Sequence, residues 1–299
     1  MTMNIKDLAL FVEIANAPSL SLGAKRALLS PAAASARIKA LELEVNAQLL
    51  YRNSRGVMLT DAGSRLLVHA RLVMQQLECL KSEFAEPGVG SFGRIKVVAD
   101  TIAVIDALPI ALRRFRADFP GVDIELQERN SVDVLGDILE GAADIGITTG
   151  PVSGPVSAIG LEVIPFSTER LVLAVAADHP LSRNNSVTLA DAFLYSHVSL
   201  PAGSPLHELL KKHASQLGCE FAPPLQVASF EAVSRMVEAG VGVAILPQSL
   251  GRRYRKAMSL HIKELSEPWA VLERSVVFRD FSAHPGYSKS LITLLRSLH

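Results

Sequence analysis

Basic and small side chains near the N-terminus are spaced in a way that suits contact with nucleic acid. Arg37 and Lys39 follow a run of small residues that includes Ala32, Ala33 and Ser35. A helix that enters the major groove of DNA needs low bulk near the bases and cations within reach of the phosphates. An alanine-rich helix that packs closely on another helix would show the same run, and these residues alone leave both interpretations open.

A short hairpin-like segment, residues 51–59, contains Gly56 and two more arginines, Arg52 and Arg55. Arginines on such a wing suit phosphate or minor-groove contacts, and a solvated loop is the alternative. The whole chain has 30 basic and 30 acidic residues, but its first sixty residues are mildly basic. There Lys6, Lys25, Arg26, Arg37, Lys39, Arg52 and Arg55 stand against Asp7, Glu13, Glu42 and Glu44.

Three short amphipathic helices are needed to position these side chains. Ser19 is the expected N-cap of the second helix, and Ser30 with Pro31 begins the third. Only Leu28 and Leu29 separate the second and third helices, which is the spacing of a helix-turn-helix. The apolar residues at helical spacing are Leu8, Phe11 and Ala15, then Leu20, Ala24 and Ala27, then Ala34, Ile38 and Leu41.

In order and spacing, these residues resemble the N-terminal signature of the LysR-type transcriptional regulators, and the resemblance extends through essentially the whole chain. Two positions depart from it: Ala36 stands where the family often has arginine, and Leu22 where it often has a polar residue. The matching residues are Leu8, Phe11, Ser19, Ala24, Leu28, Ser30, Pro31, Ala33, Ser35, Ile38, Leu41, Glu42, Leu50, Arg52, Thr60, Ala62 and Gly63.

The resemblance implies that the helix from Pro31 to Glu44 is the recognition helix of a winged helix-turn-helix, and that the wing flanks the DNA backbone. The implied partner is double-stranded operator or promoter DNA. The residues expected to contact it are Ser30, Pro31, Ala32, Ala33, Ser35, Arg37, Lys39, Arg52 and Arg55.

A long helix is predicted to follow, because no proline occurs between Thr60 and Pro87. Its apolar residues alternate steps of four and three, a heptad seam that needs a second helix to bury it. We therefore expect a homodimer through residues 61–86, with packing against the chain's own domains as the alternative. The resemblance further implies tetramers. The seam residues are Leu66, Ala70, Val73, Leu77, Leu80 and Phe84.

Glycines and a proline near residue 90 mark a domain boundary, after which short strands alternate with helices. We expect two similar α/β units with a cleft between them. The resemblance implies a two-lobed effector domain like the type II periplasmic binding proteins. The expected domains are residues 1–60, 61–90 and 91–299, with lobe I at 91–166 and 269–299 and lobe II at 167–268. The second lobe's later strands are expected at Leu225 to Ala228 and Val241 to Leu246.

In such sheets ligands bind beyond the carboxyl ends of strands, near helix N-termini. The candidates for a small-molecule effector site are polar or flanking residues at those ends, and each could instead be a helix cap. The resemblance places the loops of Thr101 and Ser204 at the pocket, with Ser229 and Ile245 close by. Asp100 beside Thr101 suggests a ligand with a cationic or hydroxyl group. The candidates are Asp100, Thr101, Ile102, Thr148, Ser204, Ser229, Phe230 and Ile245.

The alternative class is a binding protein or enzyme built on the two-lobed domain. No nucleotide loop, zinc-binding helix or serine elbow is found. His207 and His213 are six residues apart on one predicted helix, which does not place two metal ligands on one face. We therefore expect no catalysis, cofactor or metal. Cys79 and Cys219 indicate neither a disulfide framework nor a zinc site, although a redox sensor is an alternative to inert packing.

The N-terminus lacks the pattern of a secretory signal peptide, and the apolar windows are shorter than the roughly 20 residues that span a bilayer. We therefore expect a cytoplasmic protein without a membrane partner. The identity of the effector, the target genes and the choice between activation and repression are not specified by the sequence.

Overall fold

The computed structural model describes residues 3–53, 56–84, 93–152 and 160–298, with residues 52, 53 and 83 described by their backbone alone. Its N-terminal unit packs three helices around a core that includes Phe11, Ile14 and Ile38, each fully buried. A two-stranded antiparallel hairpin follows. The elements are α1 (Ile5–Ala15), α2 (Leu20–Arg26), α3 (Pro31–Glu44), β1 (Leu50–Asn53) and β2 (Gly56–Leu59).

The predicted caps begin the helices where expected. The hydroxyl of Ser19 accepts the N–H of Leu22, and the hydroxyl of Ser30 accepts the N–H of Ala33 at 3.2 Å. These bonds satisfy backbone donors that the first turn of a helix otherwise leaves free. Pro31 occupies the first helical position, which suits its fixed φ angle.

The long helix α4 (Asp61–Glu83) is capped by Thr60, whose hydroxyl accepts the N–H of Gly63 at 2.9 Å. The first part of the seam is covered by the chain itself: Ala70 is buried, and Leu66 packs against the N-terminal core. Farther along, Val73, Leu80 and Phe84 are exposed by 41%, 51% and 81%. Among the described residues, no helix is both long and apolar enough to cross a membrane.

We define lobe I as the part of the C-terminal domain around a sheet in which β3 lies between β4 and β5 and is parallel to both. Strand β12 is antiparallel to β5. Parallel neighbours require crossover connections, and α5–α6 and α7 provide them. The elements are β3 (Gly93–Ala99), α5 (Thr101–Ile105), α6 (Ala107–Asp118), β4 (Val122–Glu128), α7 (Ser131–Leu139), β5 (Ile145–Thr149), β12 (Val271–Phe278) and α12 (Gly286–Arg296).

We define lobe II by a second core, in which the fully buried strand residues Leu171 and Leu173 pack with Phe230 and Leu246. Strand β6 (Glu162–Ala176) joins the lobes: its first half pairs with β12, and its second half pairs with β10 and β11. The other elements are β7 (Ser186–Val187), α8 (Leu189–Ala192), β8 (Val198–Ser199), α9 (Pro205–Gln216), β9 (Leu225–Gln226), α10 (Phe230–Glu238), β10 (Ala244–Pro247), α11 (Gln248–Tyr254) and β11 (Leu260–Leu265).

The structure differs from the predicted elements at specific places. Helix α5 was not among the predicted elements, and Asp100, for which a helix cap was the alternative to a pocket residue, is its N-cap. Strand β10 begins at Ala244 rather than Val241. Before it, the backbone at Gly242 passes so close to the chain that an added Cβ would lie 2.5 Å from the carbonyl oxygen of Ser196. The domain boundaries given above stay predictions.

Candidate functional site

The exposed side of α3 has the low bulk that DNA contact requires. Pro31, Ala32 and Ala33 are exposed, as is Lys39, and Ser35 is half-buried. Ser30 is exposed as well, although its hydroxyl is used as the cap. The helix thus offers solvent a nearly flat N-terminal half followed by a cation. This is the arrangement that a recognition helix needs, and whether these residues contact DNA stays a prediction.

Arg37 differs from Lys39 because it has a partner within the N-terminal unit. Its Nε lies 2.6 Å from Oδ1 of Asp7 on α1, and both side chains are partly buried. This ion pair holds α3 against α1 and offsets part of the charge that a phosphate would meet. No local pattern indicated the pair, since the two residues are 30 positions apart.

The wing is present as the antiparallel pair of β1 and β2, in which the backbone of Arg52 lies opposite Val57. The side chain of Arg52 is not described, and Arg55 lies outside the described residues. The predicted contacts of these two arginines with DNA therefore stay predictions.

In lobe I, the carboxylate of Asp100 forms hydrogen bonds within the lobe. It accepts the N–H of Ala103 at 2.9 Å and both the N–H and the hydroxyl of Thr149 at the end of β5. Only 5% of the residue is exposed, and burial raises the pKa of the carboxyl above its ordinary value. Because the carboxylate is buried and already hydrogen-bonded within the chain, the structure argues against the suggestion that Asp100 itself selects a cationic or hydroxyl-bearing ligand.

Beside it, the hydroxyl of Thr101 donates a hydrogen bond to the carboxylate of Glu128, the last residue of β4. Together with Asp133, these residues line a cavity of about 360 Å³ at the carboxyl ends of β3 and β4. Arg129 lines the same cavity, but its guanidinium is 3.1 Å from Asp137 and 2.6 Å from the side-chain oxygen of Gln127. The remaining lining residue is Asn130.

Of the two other candidates from lobe I, only Thr148 is less accessible than Thr101. The side chain of Ile102 is half-buried, and Thr148 is 2% exposed within β5. Burial of Thr148 in the strand argues against a direct ligand contact through its hydroxyl.

In lobe II, Ser204 precedes α9, and its hydroxyl oxygen is buried with no hydrogen-bond partner among the described residues. Ser229 is exposed and caps α10 by accepting the N–H of Ala232 at 3.2 Å. Phe230 and Ile245 are 5% and 4% exposed and belong to the core of lobe II. Their burial argues against side-chain contact with a ligand, because both already pack against apolar neighbours.

A buried ion-pair network that the sequence did not reveal joins the two crossing strands. Arg274 on β12 is 3% exposed; one Nη lies 2.8 Å from Glu169 on β6, and the other lies 3.1 Å from Asp106. Glu169 also accepts the N–H of Ser249 on α11 at 3.0 Å. The network therefore connects lobe I, both crossing strands and lobe II. Among the described residues, no group of His, Cys, Asp or Glu is suited to hold a metal ion.

A helix-turn-helix unit, a long helix and a two-lobed α/β domain define a DNA-binding regulator with a ligand-binding type of domain. Residues 5–64 match the family model described as bacterial regulatory helix-turn-helix protein, lysR family. Residues 89–298 match the model of the LysR substrate binding domain. The chain belongs to the LysR family of transcriptional regulators, which confirms the predicted family and a regulator rather than an enzyme.

Curated relatives are similar over nearly their whole length. The HTH-type transcriptional regulator CzcR of Bacillus cereus is 24% identical over 297 residues, which is 99% of this chain and 98% of the relative. The uncharacterised HTH-type transcriptional regulator YnfL of Escherichia coli is 28% identical over 301 residues, with 95% and 98% covered. Both names describe regulators of transcription.

Solved structures share the fold. A full-length cysteine-to-aspartate variant of OxyR from Pseudomonas aeruginosa has a TM-score of 0.80 at 20% identity, and the match covers 99% of this chain and 96% of that one. Full-length CbnR in complex with its target DNA has a TM-score of 0.62 at 22% identity, with 98% and 99% covered. The predicted fold class is confirmed.

Proposed function

We propose that a small molecule bound between lobes I and II controls the DNA binding or activation of this LysR-type regulator. The supporting observation is the polar cavity at the carboxyl ends of β3 and β4, which Thr101 and Glu128 line. Ligands of open α/β sheets bind outside this edge. In lobe II, the hydroxyl oxygen of Ser204 has no hydrogen-bond partner among the described residues and is a second polar group that a ligand could satisfy.

A ligand held between lobes gains hydrogen bonds from both only when the cleft is closed. It then binds the closed state more tightly and shifts the population toward it, by no more than its difference in affinity for the two states. Couplings of about 1 to 3 kcal/mol are usual. Glu128 and Asp133 line the cavity while the cation of Arg129 is paired, so a neutral or cationic effector fits better than a carboxylate.

The test is a reporter assay in the native host with Thr101→Val and Ser204→Ala, alongside DNA binding in vitro. We expect the response to the effector to weaken while DNA binding without effector is kept, because the DNA-binding unit is a separate domain. Ser215→Ala, on the exposed distal part of α9, is the matched control. Full induction in both test variants would remove these residues from the sensing site.

We further propose that α3 and the wing contact DNA through Ser30, Pro31, Ala32, Ala33, Ser35, Arg37, Lys39, Arg52 and Arg55. Lys39 gives the sharpest test because it is exposed. Lys39→Ala should weaken operator binding and reduce the slope of log affinity against log salt by about one. Lys212→Ala, exposed on α9, should leave that slope unchanged. An unchanged slope in the Lys39 variant would exclude Lys39 from the phosphate contacts.

Self-association through α4 and a cytoplasmic location complete the proposal. The exposed apolar side chains Val73, Leu80 and Phe84 support a helix–helix contact between two copies, which would present two recognition helices to a two-fold repeated operator. Tetramers remain a prediction. The location follows from the DNA partner, since bacterial chromosomal DNA is in the cytoplasm.

A further inference from the structure

The face of α4 opposite the seam contacts lobe I of the same chain. An Nη of Arg71 donates to the backbone carbonyl of Glu140 at 3.3 Å, and the side-chain amide of Gln75 donates to Asp144 at the same distance. One turn farther along, Cys79 is 6% exposed. Positions four apart share one face of a helix. The long helix therefore has two different faces: an apolar face whose later part is exposed, and a polar face that contacts lobe I.

Arg71 also reaches the DNA-binding unit. Its other Nη donates to the side-chain oxygen of Asn16 at 2.9 Å, and Asn16 is the C-cap of α1. Gly141 permits the approach of lobe I: its φ is +62°, and an added Cβ would lie 3.3 Å from the Cβ of Arg71. A single guanidinium thus joins the end of α1, the linker helix and the loop after α7.

Two rigid elements connect this contact to the candidate effector cleft. Helix α7 begins at Ser131, whose hydroxyl lies 3.5 Å from Asp100, and it ends at Leu139 beside the carbonyl that Arg71 binds. Strand β5 starts directly after Asp144 and ends at Thr149, which donates to Asp100. Each element spans about 15 Å. Each element therefore has one end at the bonds of Asp100 and the other end at the α4 face.

We propose that the Arg71–Gln75 face of α4 transmits the state of the effector cleft to the DNA-binding unit through α7 and β5. The proposal rests on the proposed effector control. Hydrogen bonds weaken steeply with distance and angle, so a shift of about 1 Å at Glu140 or Asp144 breaks the contact. The effector cleft and the DNA-binding unit would then both influence whether the contact between α4 and lobe I is made. Coupling between two sites requires such a shared contact.

Coupling between two binding sites is reciprocal, so DNA can replace the unidentified effector as the probe. The experiment measures amide hydrogen exchange of residues 131–149 in the full-length protein, with and without a duplex from the DNA upstream of its gene. In the unmodified protein we expect the duplex to change exchange in this segment by about tenfold, which lies within the usual range of coupling between two sites. Because the segment is in lobe I, its own contact with DNA does not explain such a change.

Arg71→Ala and Gln75→Ala should abolish this change while the duplex still binds in a mobility-shift titration. If the alanine variant fails to fold, Arg71→Lys replaces it: lysine keeps the charge but lacks the planar fork whose two nitrogens separately reach Asn16 and Glu140, so the change should again be lost. Gln76→Ala, exposed on the same helix, is the matched control and should behave like the unmodified protein.

Three results are distinguishable. No change in the unmodified protein despite duplex binding overturns the inference, and so does a change that persists in the Arg71 and Gln75 variants. Failure of the Thr101 and Ser204 variants to alter the effector response contradicts the proposed effector site without affecting this measurement.

Discussion

Leu28, in the turn between α2 and α3, has a backbone conformation that its side chain disfavours. Its φ is +56°, and 92% of the residue is exposed. In the left-handed region a side chain other than glycine costs about 1 to 2 kcal/mol. The turn of the helix-turn-helix is therefore strained at this residue, and burial of so exposed a leucine does not compensate.

Leu28→Gly should raise the free energy of unfolding by about 1 kcal/mol, because glycine adopts this conformation without the steric penalty. Leu43→Gly is the matched control: it is a similarly exposed leucine, but it lies inside α3, where glycine costs about 1 kcal/mol. Urea denaturation of both variants tests the pair. Destabilisation by Leu28→Gly would show that the leucine makes a contact the strain argument omits.

The buried imidazole of His284 should make the free energy of unfolding depend on pH. The residue is 1% exposed, and burial, reinforced by Lys289, lowers its pKa to about 4. The unfolded chain takes up a proton near pH 6.5 and the folded one only near pH 4, so stability is full above pH 6.5 and falls as the pH drops between these values. The loss amounts to about 3 kcal/mol.

The measurement is the urea midpoint of the effector domain from pH 7 to pH 4, with His284→Gln as the variant that cannot titrate. The variant should show a flatter profile over this window. Parallel profiles for the two proteins would mean that His284 is hydrated or paired at low pH.

The role of a residue could be predicted from the sequence when its partner is close by in the chain, and not when its partner is far away. Ser19 and Ser30 were correctly predicted as caps, because a cap bonds a backbone group three residues away. Asp100 was predicted to be either a ligand contact or a helix cap, since a cap and a pocket residue have the same local pattern. Arg274 was not singled out, because its partner Glu169 is 105 positions earlier and nothing nearby indicates a buried pair.

At the scale of elements, the seam of α4 is divided between two tasks. Its first turns pack on the N-terminal core, and its later apolar residues are exposed in the single chain. The heptad spacing identified the apolar face correctly, but it could not show which part the chain itself covers. It also could not reveal the polar face, because Arg71 and Gln75 look like ordinary solvated residues in the sequence.

Leu80→Glu should convert the proposed dimer into monomers at micromolar concentration, since it places a charge in a seam that dimerisation would bury. Because Leu80 is 51% exposed in the single chain, folding of the monomer should be unaffected. Gln76→Glu introduces the same charge on an exposed position beside the seam. Sedimentation velocity distinguishes the two, and a Leu80 variant with the mass of the unmodified protein would place the interface elsewhere.

At the scale of the whole molecule, two chain crossings join the lobes, and both pass the buried Arg274 network. Strand β6 contributes Glu169, and β12, which follows the return turn Pro268–Ala270, contributes Arg274. The alternation of strands and helices predicted two lobes. It could not predict what stabilises their junction, because that depends on side chains brought together only by the sheet.

Arg274→Met should destabilise the effector domain by about 3 kcal/mol, because it leaves the carboxylate of Glu169 buried without its cation. The double variant Arg274→Met, Glu169→Leu should recover most of this loss, since it removes both charges and fills the volume with apolar groups. Trp269, the only tryptophan, lies at the crossing and reports unfolding in urea by its fluorescence. If the double variant is as unstable as Arg274→Met, burial of an unpaired Glu169 does not cause the loss, and the lost bond from Arg274 to Asp106 becomes its explanation.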